Sequence, residues 1–100
     1  MKVANKNASA LIEQLKPFQG NNTSAEIETT FSGMEILVVY SYAEPIMFSF
    51  KGTDDNLHTW VTKQKFSPTT SKHITQLTPS GEKTYVCDLR KVLEILTKNA

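Results

Sequence analysis

Four runs rich in β-branched and aromatic residues follow one another across the middle of the chain: AEIETTFS (25–32), MEILVVYSY (34–42), PIMFSFKG (45–52) and LHTWVTKQKF (57–66). They constrain the fold more than any other feature. Ile36, Val38, Val39, Tyr40 and Tyr42 make the second run the strongest strand former, and therefore the expected central strand. In the first run Ile27 and Phe31 are the expected inward residues, against Glu26, Glu28 and Thr30. The third alternates, with Ile46, Phe48 and Phe50 on one face and Met47 and Ser49 on the other. The fourth sends Trp60, Thr62, Gln64 and Phe66 one way and Thr59, Val61, Lys63 and Lys65 the other. The connections are Ser32-Gly33, Ala43-Glu44-Pro45 and the turn GTDDN. Links of about two to six residues join neighbouring antiparallel strands, so the runs predict a meander.

Helical spacing flanks this block. Ala8, Leu11, Ile12 and Leu15 predict a short amphipathic helix, capped by Asn7 or Ser9 and ended by Pro17. FQGNNTS then reads as a loop. A second short helix opens at Ser67-Pro68, TPSGEK is a turn, and TYVCDL is a fifth strand with Cys87 as a small core residue. Leu89, Val92, Leu93 and Leu96 stripe a closing helix capped by Asp88. The expected fold is α+β. One domain, 1–100, holds an antiparallel meander of about four to five strands packed by N- and C-terminal helices, with a short helix after the fourth strand. Only the terminal helices are available to cover one sheet face.

A net charge of +1 excludes a uniformly basic nucleic-acid coat. The charge is nonetheless uneven. Glu26, Glu28, Glu35, Glu44, Asp54 and Asp55 face only Lys51 between Asn21 and His58, whereas Lys63, Lys65 and Lys72 meet no acid between Thr59 and His73. The lone Cys87 allows no internal disulfide. The first residues lack the apolar stretch of a secretory signal, and ILVVY is too short to cross a bilayer. These features predict a soluble, cytoplasmic protein with no membrane partner.

The densest chemistry lies in KFSPTTSKHITQL (65–77). Proline holds Ser67 extended, as an N-cap requires, and Pro68 at the first helical position forfeits no hydrogen bond. Open backbone amides, the positive end of the helix, hydroxyls and nearby cations are the parts of a phosphate site. The candidate anion-binding residues are Lys65, Ser67, Thr69, Thr70, Ser71, Lys72 and His73. The same residues also serve as helix caps, which is all that helix starts of this type commonly need, with Ile74 and Leu77 anchoring the helix on the core. Tyr40, Tyr42, Trp60 and Phe66 are aromatics able to stack bases while Lys63, Lys65 and Lys72 hold phosphates, although Trp60 and Phe66 share the parity opposite to Lys63 and Lys65. No catalytic residue, cofactor or metal is expected. His58 and His73 lack a third spaced ligand, GTDDN lacks the ligand spacing of a calcium loop, and a dyad of His73 with Ser67 or Ser71 lacks an acid.

YSYAEPIMFSF and TWVTKQKFSPTTSKHITQL resemble segments of small phage-encoded proteins of unknown function, which share a serine-tyrosine strand, an apolar strand and a "kfS-x-TTS-K/R-HI" helix start. The matching residues are Ser41, Tyr42, Pro45, Ile46, Ser67, Thr69, Thr70, Ser71, Lys72, His73 and Ile74, and the likeness runs from about Tyr40 to Leu77. Ala43-Glu44 stands where that pattern has a small polar turn. The resemblance implies a bacteriophage origin and a host-cytoplasm setting, and no reaction. The expected function is a small non-enzymatic binding module touching phosphate of nucleic acid or nucleotide at Ser67–His73. The alternatives are a protein–protein or host-takeover factor whose helix start is purely a cap, and a small phosphoesterase built on His73. The partner is then a host or phage protein, or nucleic acid, and the chain a monomer or homodimer.

Overall fold

A computed structural model describes residues 2–3, 5–20, 22–63, 68–79 and 81–97, and for 2, 3, 5 and 6 the backbone only. The elements in order are β1 (Lys2–Val3), α1 (Asn5–Glu13), β2 (Phe18–Gly20), β3 (Thr23–Thr29), β4 (Glu35–Ser41), β5 (Glu44–Lys51), β6 (Leu57–Thr62), α2 (Pro68–Leu77), β7 (Glu82–Val86) and α3 (Leu89–Thr97). The fold is α+β. The strands form one seven-stranded mixed sheet whose spatial order is the sequence order. β2 to β6 are an antiparallel meander, and the edge strands β1 and β7 run parallel to β2 and β6.

Strand direction places the helices. Alternation along the meander leaves β2 and β6 pointing the same way. The crossovers β1–α1–β2 and β6–α2–β7 step across the sheet in the same sense. The right-handed preference of such units then puts both helices on one face. α1 and α2 do pack on each other and share a core with Leu37, Val39, Met47 and Val61. The opposite face carries Ile36, Val38 and Phe48, covered by Leu89 and Leu93 of α3. The sequence reading buries one face under the two terminal helices; in the structure both faces are buried and the terminal helices lie on opposite sides.

The two strands at the N-terminal end of the sheet, β1 and β2, are additions to the sequence reading. Phe18–Gly20 form β2 rather than a loop, with Phe18 buried opposite Ala25. A three-residue strand is too short to show an alternating pattern. The first helix begins at Asn5, so Asn7 and Ser9 are helical residues rather than caps. It ends in a Schellman-type closure: Lys16 N–H donates to Leu11 C=O at 2.9 Å and Leu15 N–H to Ile12 C=O at 2.9 Å. Leu15 takes the left-handed conformation (φ 54°) that glycine usually supplies, and its side chain packs against the α1–α2 core.

Packing corrects several side chains. A register shift at Val39/Tyr40 pairs Tyr40 with Pro45 and leaves Ile46 as the extra residue. Ile46 therefore enters the same core as Met47, while Phe48 and Phe50 keep to the α3 face. Ile27 and Phe31 are exposed; Ala25 is the residue of β3 that reaches the core. Cys87 follows β7 and is exposed, because that strand ends at Val86. Trp60 is half-buried on the α3 face, stacked on its cross-strand neighbour Phe48 with ring centroids 5.6 Å apart. On the other face Ser49 and Thr59, directly opposite, share a buried hydrogen bond of 2.8 Å. Such a pair contributes about 1 kcal/mol net, and leaving either hydroxyl unpaired costs more.

The expected cap of α3 is present: Asp88 accepts from the Lys91 backbone N–H at 3.1 Å. Asp88→Ala lowers unfolding free energy by about 0.5–2 kcal/mol in urea titration, whereas Asp88→Asn, which keeps an acceptor, loses only a fraction of that.

Candidate functional site

The spacing of α2 decides which of its residues turn to the core. Thr70, His73, Ile74 and Leu77 lie at i, i+3, i+4 and i+7, one stripe of the helix. Ile74 and Leu77 sit in the α1–α2 core, so Thr70 and His73 turn inward with them. Thr69, Ser71 and Lys72 are exposed. The first helical position is Pro68, as the sequence predicts. Lys65 and the expected cap residue Ser67 lie outside the described residues, as do Gln64 and Phe66.

The inward pair meets a strand residue. Ser41 continues the Leu37–Val39 face of β4 towards α2. Its hydroxyl donates to Thr70 Oγ1 at 3.2 Å, and His73 Nδ1 lies 2.7 Å from Ser41 Oγ. A serine hydroxyl carries one proton, and here it goes to Thr70. The His73 contact therefore has Nδ1–H as donor, which leaves Nε2 with the lone pair. Ser41, Thr70 and His73 are all buried. Burial, with the neighbouring Lys72 charge second, holds the His73 pKa below its usual value, so the ring is neutral at pH 7.

Tyr42 roofs this cluster. It is the first residue of the two-residue β4–β5 turn and has φ 59°, a conformation glycine favours there. Its N–H donates to Asn22 C=O at 2.7 Å. The residue is 56% exposed, and its ring centroid lies 6.0 Å from that of His73. The serine-tyrosine pair and the TTSKHI stretch thus converge in space. Of the expected anion set, Thr70 and His73 are buried and are fastened to Ser41 through Thr70 Oγ1 and His73 Nδ1. Ser41 and Tyr42 stand outside the expected anion set; the sequence reading has Tyr42 as an aromatic able to stack a base and Ser41 only as part of the serine-tyrosine resemblance. The signal for Ser41 is its parity, a hydroxyl at an inward position of a β-rich run; the signal for Thr70 and His73 is their spacing from Ile74 and Leu77.

Other polar groupings lie elsewhere. His58 is bracketed by carboxylates, with Nε2 3.2 Å from Asp54 Oδ1 and Nδ1 3.2 Å from Glu82 Oε2. The Asn56 backbone N–H, and then His58, hold the Asp54 carboxyl below its ordinary pKa. Carboxylates on opposite ring nitrogens do not converge on one point, as metal ligands must. Among the described residues no group of three or more His, Cys, Asp or Glu is placed to hold a metal. A cavity of about 190 Å³ lies between α3 and the sheet, lined in part by Glu28, Tyr40, Arg90 and Glu94. Burial first, then Glu28 and Glu26, raise the Tyr40 pKa against the opposing effect of Arg90. Arg90 is the cation among the described lining residues, and its Nη2 is paired with Glu44 at 2.7 Å.

A family model described as a family of unknown function (DUF8033) matches residues 7–91, and the chain belongs to that family. No curated protein and no solved structure matches it.

Ser41→Ala strands the His73 Nδ1–H in the interior and lowers stability by about 1–3 kcal/mol, measured by chemical denaturation. His73 also ties stability to pH. Its folded pKa lies below the value of about 6.5 of the unfolded chain, so the unfolded state binds more protons between the two. The neutral ring's contribution is complete above that pH and declines as pH falls below it. Unfolding free energy measured at pH 7.5 and 5.5 shows this decline in the unmodified protein. In His73→Asn, whose amide keeps a donor near Ser41, the decline is smaller.

Proposed function

We propose that this protein is a binding module without chemistry of its own, which holds the phosphate of a single-stranded nucleic acid or nucleotide at the start of α2. The observation that carries the reading is the contact of the exposed Tyr42 with His73, ring centroids 6.0 Å apart, on a helix whose opening turns also carry the exposed Thr69, Ser71 and Lys72. A base has a face to stack on, and the adjacent phosphate has hydroxyl donors and a cation. The first turn of α2 carries no acid to oppose that anion. Lys65 and Ser67 complete the set by their place in the sequence. The buried Thr70–Ser41–His73 chain supports the reading from beneath, by fixing the helix start against β4.

A phosphoesterase reading has less in its favour. Ser41 is buried, its proton goes to Thr70 rather than to the imidazole, and among the described residues no carboxylate contacts His73. A protein-binding or host-takeover role, with α2 capped only for folding, draws support from the exposed Phe31 and Ile95. In either case we take the chain to be phage-encoded and to act in the host cytoplasm. The likeness of its KFSPTTSKHITQL stretch to small phage-encoded proteins supports the origin. Among the described residues no helix is long and apolar enough to cross a membrane.

Fluorescence anisotropy with a labelled single-stranded oligonucleotide tests the reading. Binding appears at low salt and weakens as salt rises. Tyr42→Gly suits the positive φ and removes only the ring; it weakens binding by at least about fivefold, the value of one stacked base. Lys72→Glu weakens binding and makes the salt dependence shallower, by about 0.7 in the log–log slope for each phosphate that is no longer neutralised. Absence of binding by the unmodified protein at low salt removes the nucleic-acid reading, and capture of a lysate partner that survives nuclease then favours the protein-binding one.

A further inference from the structure

β7 closes the sheet with its outer side unpaired among the described residues, and Glu82, Thr84 and Tyr85 on it are exposed. The Lys63 N–H donates to Val86 C=O at 2.6 Å, so the backbone of Val86 points inward to β6. Successive residues of a strand turn their N–H and C=O groups to opposite sides. Glu82 and Thr84 therefore also face β6, in keeping with the pairs His58–Glu82, Trp60–Thr84 and Thr62–Val86. The open donors and acceptors belong to Lys83 and Tyr85.

We propose that β7 is a self-recognition edge, at which a second copy of this chain adds its own β7 antiparallel across a two-fold axis at Thr84. In that register Lys83 of each copy lies opposite Tyr85 of the other, and each such pair exchanges both backbone hydrogen bonds. The groups that face outward are thus the groups that pair. Their side chains share one face, so each ammonium comes beside a phenol ring. Thr84 meets Thr84 at the closely spaced position of the ladder, a favoured cross-strand pair. Glu82 meets Val86.

Neighbouring symmetric registers are disfavoured by charge. An axis at Lys83 sets Lys83 against Lys83, and an axis at Tyr85 sets Glu82 against Asp88. Of these three axes only that at Thr84 avoids opposing like charges, and this self-complementarity selects a second copy over an unrelated strand. The strand has five residues, so the contact is small and the dimer forms only at raised concentration.

Two measurements on the full chain decide the matter. Sedimentation equilibrium gives a weight-average mass that rises with concentration. Tyr85→Lys, which sets lysine against Lys83, weakens the dimer by about tenfold, and adding Lys83→Glu to it restores association. For cross-linking, Cys87→Ser first removes the exposed native thiol. In that background Thr84→Cys forms a disulfide-linked dimer under mild oxidation. Closely spaced antiparallel partners lie about 4.5 Å apart at Cα, within disulfide reach. Lys83→Cys, which faces Tyr85, does not. A monomer at every concentration up to the millimolar range, or cross-linking that is equal at the two positions, overturns the proposal.

Discussion

A sheet that must bury both faces governs this molecule. With β2 and β6 parallel to each other through the alternation of the meander, both crossover helices fall on the same side. The other side is left to α3 alone. Its stripe of Leu89, Val92, Leu93 and Leu96 lies over the aromatic ladder of Phe48, Phe50 and Trp60. The central strands consequently read as near-continuous apolar runs: Ile36 to Val39 are all buried, alternate residues going to opposite cores.

This layering explains the polar cluster. A helix that covers a sheet face ends somewhere along it, and there strand and helix residues at inward positions must still be satisfied. Ser41 and Thr70 meet at that margin with His73 between helix and strand. A hydrophobic triplet would fill the space as well, but would not fix the rotation of the first turn of α2. Hydrogen bonds are directional, so this chain of hydroxyls and imidazole sets which residues of the turn look outward. Thr69, Ser71 and Lys72 owe their exposure to Thr70 and His73 being engaged.

Much of the fold was legible in the sequence. The strands β3 to β6, the start of α2 at Pro68, the GTDDN turn and the Asp88 cap are where local chemistry placed them, because each rests on interactions within a few residues. The misreadings share one cause. Phe18–Gly20 became a strand through pairing with β1 and β3, Ile46 changed face through a bulge, and Ile27 and Phe31 stayed exposed near the end of the β3–β4 hairpin. None of these follows from propensity or periodicity, since each depends on what a neighbouring strand or helix does or does not cover.

The site divides along the same line. The sequence by itself determined that a proline-led helix, rich in hydroxyls and free of acid in its first turn, follows a β-meander. Tertiary structure decided that Thr70 and His73 face inward to Ser41, and that Tyr42 stands over them at the surface. The physical reason is range. Helix caps and turns are satisfied by atoms a few bonds away, whereas the Ser41 partner of His73 lies 32 residues back in the chain and meets it only once both sheet faces have been covered.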